Sequence, residues 1–366
     1  MKIACHQDEL LAKLQIVARG VSQRSTVQIL SGILLRAPAG AQAELAATDM
    51  ELSLRVPLAA QVLEPGETVL PGRLLLDIAR LLPGGDVTLE QPAGGALRLT
   101  CGESEYALYT QNPDDFPKLP EPSGQPLAVD RSAFSETVAQ VARAASRDES
   151  RPVLTGVLVE FAPDTVTMAA TDSYRLSVRT TRLPGVGAET QAIVPARALS
   201  EVVRIGSALG GDELCIDVQE NQILFGIEGV WLSARRIDGQ FPNYRALRPQ
   251  GFEHELALEK EELLEVVRRT QLMAQRSAPL RLAFDSGRLR VSAQTQDVGE
   301  AHESLPVDFH GERLEIGFNP DFLRDGVETV QGDTVRLRLI SPLRPGLLQG
   351  DGDDAWYLIM PIRLSS

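Results

Sequence analysis

Lysine is nearly missing from this chain: only Lys2, Lys13, Lys118 and Lys260 are lysines among 36 basic residues. None of them follows a glycine, so a glycine-rich phosphate loop with its lysine cannot form, and P-loop nucleotide hydrolases are excluded. Cysteine is as scarce. Cys5, Cys101 and Cys215 are widely separated, which excludes CxxC chemistry, a zinc spacing and a disulfide framework. The four histidines, His6, His254, His302 and His310, form no HExxH pair, so no metal set is in view and no cofactor is expected. There is no GxSxG nucleophile turn. The run Gly350 to Ala355 matches GxGxxA in letters alone, because it follows a Pro-rich loop and precedes the strand-like Trp356 to Ile359, the reverse of a dinucleotide site. No apolar stretch approaches the roughly 18 residues of a membrane helix. Asp8 and Glu9 stand where a signal peptide would carry its apolar core. The expectation is a soluble cytoplasmic protein without a membrane partner.

What the chain has in excess is acid: 50 Asp and Glu against 36 Lys and Arg, a net charge of −14 over 366 residues. With 43% hydrophobic residues it has ordinary globular composition, long enough for two or three domains with their own cores. The chain also repeats itself. Val69-Leu70-Pro71-Gly72-Arg73 returns 124 residues later as Ile193-Val194-Pro195-Ala196-Arg197, and Ile316-Gly317-Phe318-Asn319-Pro320 begins a weaker third copy. Leu30-Ser31-Gly32 returns as Leu154-Thr155-Gly156, Ala47-Thr48-Asp49 as Ala170-Thr171-Asp172, and Phe116-Pro117 as Phe241-Pro242. Each copy opens with apolar residues at i, i+4, i+7 and i+11: Leu10, Leu14, Val17, Val21; Phe134, Val138, Val141, Ala145; Leu263, Val267, Thr270, Ala274. That spacing draws one face of a helix.

The order within each copy is helix, strands, helix, strands. We therefore expect an α+β protein of three similar domains, residues 1–124, 125–249 and 250–366, each made of two helix-plus-antiparallel-sheet halves. In the first domain strands are expected at 32–36, 51–57, 96–101 and 106–110. Glu121 to Gly124 and Leu247 to Gly251 are the Pro/Gly-rich connections. Helices are expected over 8–24, 72–83, 131–147, 196–208, 259–276 and 319–331. These segments hold 15 basic and 12 acidic residues, so they carry about +3 while the remainder carries −17. Arg73, Asp77, Arg80 and Arg197, Glu201, Arg204 repeat at i, i+4, i+7, on one helix face each. The last helix is the exception, with Asp321, Asp325 and Glu328 against Arg324.

These marks in combination, with Thr171-Asp172-Ser173-Tyr174-Arg175-Leu176, Phe241-Pro242-Asn243-Tyr244-Arg245 and Met360-Pro361-Ile362-Arg363-Leu364, resemble the bacterial sliding clamp, the beta subunit of DNA polymerase III. Runs such as Arg147-Asp148-Glu149 are most similar to actinobacterial members. The resemblance covers essentially the whole chain. It implies a non-catalytic processivity factor: a head-to-tail homodimer closing a ring, helices lining the hole and sheets outside. Its implied partners are duplex DNA held without sequence readout, a clamp loader, the replicative polymerase and other proteins with a clamp-binding motif, in the cytoplasm and at the nucleoid. Dispersed basic groups near phosphate and no base-edge contact suit such a ring, and an acidic exterior keeps DNA from the wrong face.

For DNA, the resemblance implies contacts by Arg24, Arg73 and the loop around Arg147 and Arg151, where Pro152 and Val153 replace aromatic residues of some members; Arg197 and Arg276 join them by repeat position. For partner peptides it implies an apolar pocket of Leu154, Thr171, Ser173, Tyr174, Arg175 and Leu176, with Pro242, Leu247, Leu358, Met360, Pro361 and Ile362. Ser173 stands where members carry glycine or a charged residue, and Ala246 where many carry arginine; Ser365-Ser366 run past the usual Arg-Leu end. Leu154 and Leu176 also read as simple core residues. Two other functions remain open on sequence. One is a clamp paralogue that protects against a pocket-binding inhibitor. The other is a hydrolase using Asp49 and Asp172, against which the recurrence of Thr-Asp fits a turn better than a catalytic pair.

Overall fold

The computed structural model describes residues 1–366 except 23–25, 93, 125, 185–188, 275–277, 297, 353 and 365–366. Seven helices lie among the described residues: α1 (Gln7–Val17), α2 (Gly72–Leu81), α3 (Arg131–Val141), α4 (Pro152–Thr155), α5 (Ala196–Leu209), α6 (Lys260–Thr270) and α7 (Pro320–Thr329). All but the single turn α4 fall on the expected segments. The helices that open the three repeats stop short of their expected ends and tighten into 3-10 turns at Ala18–Gly20, Ala142–Ala144 and Gln271–Met273. A 3-10 turn closes a helix by i→i+3 bonds when no further α turn follows. The expected apolar stripes face inward: Leu10, Leu14 and Val17 of α1, Phe134, Val138 and Val141 of α3, and Leu263, Val267 and Thr270 of α6 are all buried. Each buried Leu, Val or Phe contributes roughly 1.5–3 kcal/mol.

By contact the chain forms two units, Met1–Arg131 with Glu201–Arg236, and Ser132–Ser200 with Ile237–Ser366. The first contains an eight-stranded antiparallel sheet in the order Leu127–Asp130, Glu213–Val218, Gln222–Ile227, Val230–Arg235, Leu52–Leu58, Ala43–Thr48, Gly32–Ala37, Gly66–Pro71. Its second sheet has five strands: Gln61–Glu64, Lys2–His6, Asp86–Glu90, Leu97–Cys101, Ser104–Leu108. The four strands expected in the first repeat are present within two residues. Lys2–His6, Ala43–Thr48, Gln61–Glu64, Gly66–Pro71 and Asp86–Glu90 are additional. Ala43–Thr48 is buried on nearly every residue, so it lacks the alternation that marks a half-exposed strand.

The second unit repeats the plan. Its eight-stranded sheet runs Thr190–Pro195, Gly156–Ala162, Thr165–Thr171, Arg175–Arg182, Ala355–Ile359, Gly346–Gln349, Thr334–Leu339, His254–Glu259. A four-stranded sheet orders Gly299–Pro306, Arg288–Thr295, Leu280–Asp285 and Leu314–Phe318. In each large sheet a strand of one sequence repeat pairs with a strand of the next: Trp231 lies opposite Arg55, and Ser177 opposite Tyr357. The middle repeat is thus divided between the two units, which is why three repeats in sequence give two units by contact.

Two marks of the repeat turn out to be one structural feature. Gly32 lies opposite Pro71, and Gly156 opposite Pro195, at the start of paired strands. A Cβ at Gly32 would fall 2.3 Å from Val69 Cγ1, and one at Gly156 would fall 2.5 Å from Ile193 Cγ2. Only glycine fits there, so Ser-Gly and Thr-Gly recur at a fixed distance from the proline that leads into α2 or α5.

Candidate partner-binding site and nucleic-acid interface

The pocket residues expected from the sequence all belong to the second unit, where the strand Arg175–Arg182 meets the last strand, Ala355–Ile359. The turn entering Arg175–Arg182 is built by local side-chain chemistry. Asp172 Oδ1 accepts from the Tyr174 and Arg175 amides at 2.9 and 3.0 Å. Thr171 Oγ1 donates to the Arg175 carbonyl at 2.6 Å and accepts from the Ser173 amide at 3.1 Å. Ser173 is thereby held at φ +80°, the left-handed region that favours glycine. The first repeat folds identically at this point: Asp49 Oδ1 accepts from Glu51 and Leu52, Thr48 Oγ1 accepts from Met50, and Met50 sits at φ +78°. The recurring Thr-Asp is therefore a turn element, and its carboxylates are occupied by backbone amides rather than gathered for catalysis. Among the described residues no group of three or more His, Cys, Asp or Glu side chains converges to hold a metal ion.

The chain end is fastened to this turn. The Met360 amide donates to the Tyr174 carbonyl at 2.8 Å, and the Ile362 amide to the Gly317 carbonyl at 2.8 Å. Leu176 and Leu358 are paired across the strands and almost fully covered, at 2% and 6% exposure. They share a cluster with Leu158, Phe241, Tyr244 and Trp356, against which Val153 packs. Leu176 and Leu358 thus form a floor from beneath, as does the buried Thr171. The accessible apolar surface comes from Tyr174, Leu247 and Met360, exposed by 62%, 51% and 41%, together with Pro242, while Leu154, Pro361 and Ile362 are half-buried.

Phe241 to Leu247 is held over that floor by Glu160. Its carboxylate accepts from the Tyr244 hydroxyl at 2.6 Å and from both terminal nitrogens of Arg245 at 2.7 and 3.2 Å. The Arg245 guanidinium also lies 4.7 Å from the centre of the Tyr244 ring. Burial first, and then the Glu160 carboxylate, push the Tyr244 hydroxyl above its ordinary pKa. Glu160, Phe241, Tyr244 and Trp356 are contributors that sequence reasoning did not pick out. Of these, Phe241 lay in the repeated Phe-Pro and both Phe241 and Tyr244 in the run Phe241 to Arg245 that carries the resemblance, but neither was given a place in the site.

Arg175 points the other way from the apolar surface. Its guanidinium donates to Asp172 Oδ2 at 3.0 Å, to Asp325 Oδ2 at 2.5 Å and to the Arg143 carbonyl, and it lies 4.3 Å from the centre of the Phe322 ring. Burial opposes its charge, but Tyr357, Asp325 and Asp172 more than offset that and hold its pKa above the ordinary arginine value. The acids that made α7 an exception in the charge pattern are used here. Asp325 takes Arg175, and Glu328 takes Arg143 at 2.7 Å and Arg268 at 3.0 Å.

The arginines expected to touch DNA are dispersed. Arg24 and Arg276 lie outside the described residues. Arg73 and Arg197 are exposed in the first turns of α2 and α5. The partner arginines one face along are tied to the intervening acid, Arg80 to Asp77 at 3.4 Å and Arg204 to Glu201 at 2.9 Å. Arg147 is exposed in the loop before α4. Arg151, expected in the same DNA set, donates instead to Asp148 Oδ2 at 3.0 Å and to Ser173 Oγ at 2.9 Å, which places it at the rim of the apolar site.

Comparison with known proteins agrees along the whole length. Family models described as the N-terminal, central and C-terminal domains of the DNA polymerase III beta subunit match residues 1–120, 128–243 and 245–363. The chain is similar to the beta sliding clamps of Streptomyces coelicolor, 34% identical over 381 residues, and of Synechococcus elongatus, 35% identical over 376 residues; both matches cover all of each chain. Among solved structures it is similar to the DNA polymerase sliding clamp from Bacillus subtilis, with TM-score 0.93 and 26% identity, and to the DNA polymerase III subunit beta from Pseudomonas aeruginosa, with TM-score 0.91 and 29% identity, again over all of each chain. The chain belongs to the beta sliding clamps, the family of non-catalytic processivity subunits of DNA polymerase III.

Proposed function

We propose that two copies of this chain close head to tail into a ring around duplex DNA and tether the replicative polymerase and other motif-bearing proteins through the apolar site at Tyr174, Leu247 and Met360. The observation that carries the ring is the strand count. Wherever two successive repeats meet, their halves share an eight-stranded sheet, whereas the halves left over at the two ends of the sequence form sheets of five and four strands. One edge of each small sheet is a hairpin strand, Ser104–Leu108 in the first and Gly299–Pro306 in the second; the opposite edges are Gln61–Glu64 and Leu314–Phe318. Tyr106, Tyr109 and Leu272 are exposed on or close to the two hairpin strands. An uncovered strand edge with exposed apolar neighbours is a surface for another chain. Joining the two edges between copies would rebuild the same kind of large sheet that joins the repeats, and the contact would be heterologous and closed by a two-fold axis.

The ring holds DNA by topology, with exposed arginines such as Arg73 and Arg197 giving weak, sequence-independent phosphate contact. The repeats correspond to domains 1–124, 125–249 and 250–366, and the protein works in the cytoplasm at the nucleoid, delivered by a clamp loader. The test is retention. The chain should sediment as a dimer at micromolar concentration and, once loaded, stay on nicked circular DNA but slide off when the circle is cut. A monomer, or equal retention on cut and uncut DNA, overturns the proposal.

A further inference from the structure

We infer that Asp325, on α7 and outside the apolar surface, is a positioning residue for the peptide site, acting through Arg175; this rests on the peptide-site reading above. The turn Thr171–Arg175 supplies that surface with Tyr174 and, through the Tyr174 carbonyl, anchors Met360. Within itself the turn is held by Asp172 and Thr171 alone, and it contains Ser173 at φ +80°, a conformation that an L-residue keeps only when its surroundings impose it. The Arg175 side chain, 10% exposed, ties the turn to α7 by reaching Asp325 at 2.5 Å while also gripping Asp172 at 3.0 Å; Arg151 on Ser173 Oγ and the Met360 amide on the Tyr174 carbonyl hold its other side. Asp325 is itself 16% exposed and accepts from Arg324 at 3.4 Å, so its carboxylate has few other partners. Phe322, one turn earlier on α7, faces the same guanidinium at 4.3 Å.

One planar fork therefore connects the acid that shapes the turn, Asp172, with the acid on the helix, Asp325. A guanidinium can do this and an ammonium cannot, because its donors are fixed in a plane. With the Asp325 charge removed, Arg175 keeps Asp172, the Arg143 carbonyl, the Tyr357 hydroxyl and the Phe322 ring, but its charge-assisted bond to α7 becomes a weaker neutral one. Tyr174 and the Met360 amide then sample positions away from the closed surface, and a peptide must restore the geometry on binding. The affinity falls by the fraction of time that the competent arrangement is formed.

The experiment uses the full chain and a fluorescent synthetic peptide containing a glutamine and a downstream Leu-Phe pair. Asp325→Asn should weaken peptide binding by about 5- to 20-fold and speed hydrogen exchange at the Tyr174 and Arg175 amides, with the dimer mass unchanged. A purely structural loss would instead raise exchange throughout the sheet. Arg175→Lys, which keeps the charge but not the fork, should give a loss of the same kind and at least as large, and it serves if Asp325→Asn does not fold. Asp325→Glu should recover part of the affinity. Met360→Ala is the control for the site itself. If Met360→Ala loses the peptide while Asp325→Asn and Arg175→Lys bind as the parent does, the positioning role is refuted and the site stands. If Met360→Ala and Leu247→Ala both bind as the parent does, the site reading fails and this inference with it.

Discussion

Glu160 carries two partners of unequal worth, and the inequality runs against first impressions. Arg245 approaches it with two nitrogens, at 2.7 and 3.2 Å, and Tyr244 with one hydroxyl at 2.6 Å. Burial reverses the order. The Arg245 side chain is 65% exposed, so its ion pair is screened and contributes about 0.2–1 kcal/mol. Tyr244 is 4% exposed; a hydroxyl left there without a partner costs about 1–3 kcal/mol. Glu160→Ala should therefore destabilise the chain by about 1.2–4 kcal/mol, read from the urea midpoint at constant slope. Arg245→Ala should cost less than about 1 kcal/mol. Adding Tyr244→Phe to Glu160→Ala should restore about 1–2 kcal/mol, because the orphaned hydroxyl is gone. The same hydroxyl gives a pH signature. Its pKa is raised in the folded protein, so the stability it contributes is fully present below the unfolded value near about 10 and is lost as pH climbs through the folded one. Tyr244→Phe should remove that part of the alkaline decline. If Arg245→Ala proves costlier than Tyr244→Phe, or Tyr244→Phe restores nothing beside Glu160→Ala, the reasoning from burial is refuted.

Gly156→Ala should destabilise by about 1–3 kcal/mol in thermal or urea unfolding, since the new Cβ falls 2.5 Å from Ile193 Cγ2 and 2.8 Å from Ile237 Cδ1; Gly84→Ala, with nothing within 4 Å, should change stability by less than about 0.5 kcal/mol. Burial raises the pKa of Glu328, but Arg268 and Arg143 more than offset it and leave it below the usual carboxylate range. Its stabilisation is present above the unfolded value of about 4.3 and is lost as pH falls through the folded value, so Glu328→Gln should flatten the acid limb of the stability curve measured by circular dichroism. Arg73→Ala should reduce the slope of log binding constant against log salt by about one, measured on linear duplex, and an unchanged slope would make Arg73 ordinary surface charge. Deleting Met360 to Ser366 would also remove the bridge from Ile362 to Gly317; point substitution of Met360 is the cleaner probe of peptide binding for that reason.

The sequence by itself determined the repeating plan. The i, i+4, i+7 stripes placed the helices because a 3.6-residue period with one apolar face has few other uses. The Thr-Asp recurrence was legible as a turn because Asx side chains bond to amides two and three residues ahead, a local rule that needs no tertiary knowledge. Ser-Gly and Leu-Pro were visible as marks, but their being cross-strand partners was not, since pairing joins residues 39 apart in both copies. The apolar site was reachable only through resemblance. Its floor and rim come from segments near 154, 171–176, 241–247 and 358–362, and nothing in a one-dimensional pattern says that these converge. Tertiary structure alone also decided which way each side chain works. By resemblance Arg175 joins the pocket set, and its side chain is turned inward by Asp325, 150 residues away; Arg151 reads with the DNA set and is found on Ser173. The acids of α7 looked like an exception to the charge pattern until Arg143, Arg175 and Arg268 were found upon them. Local periodicity is set by covalent neighbours and survives in the sequence, whereas the pairing of charges depends on which surfaces the folded sheets bring within about 4 Å.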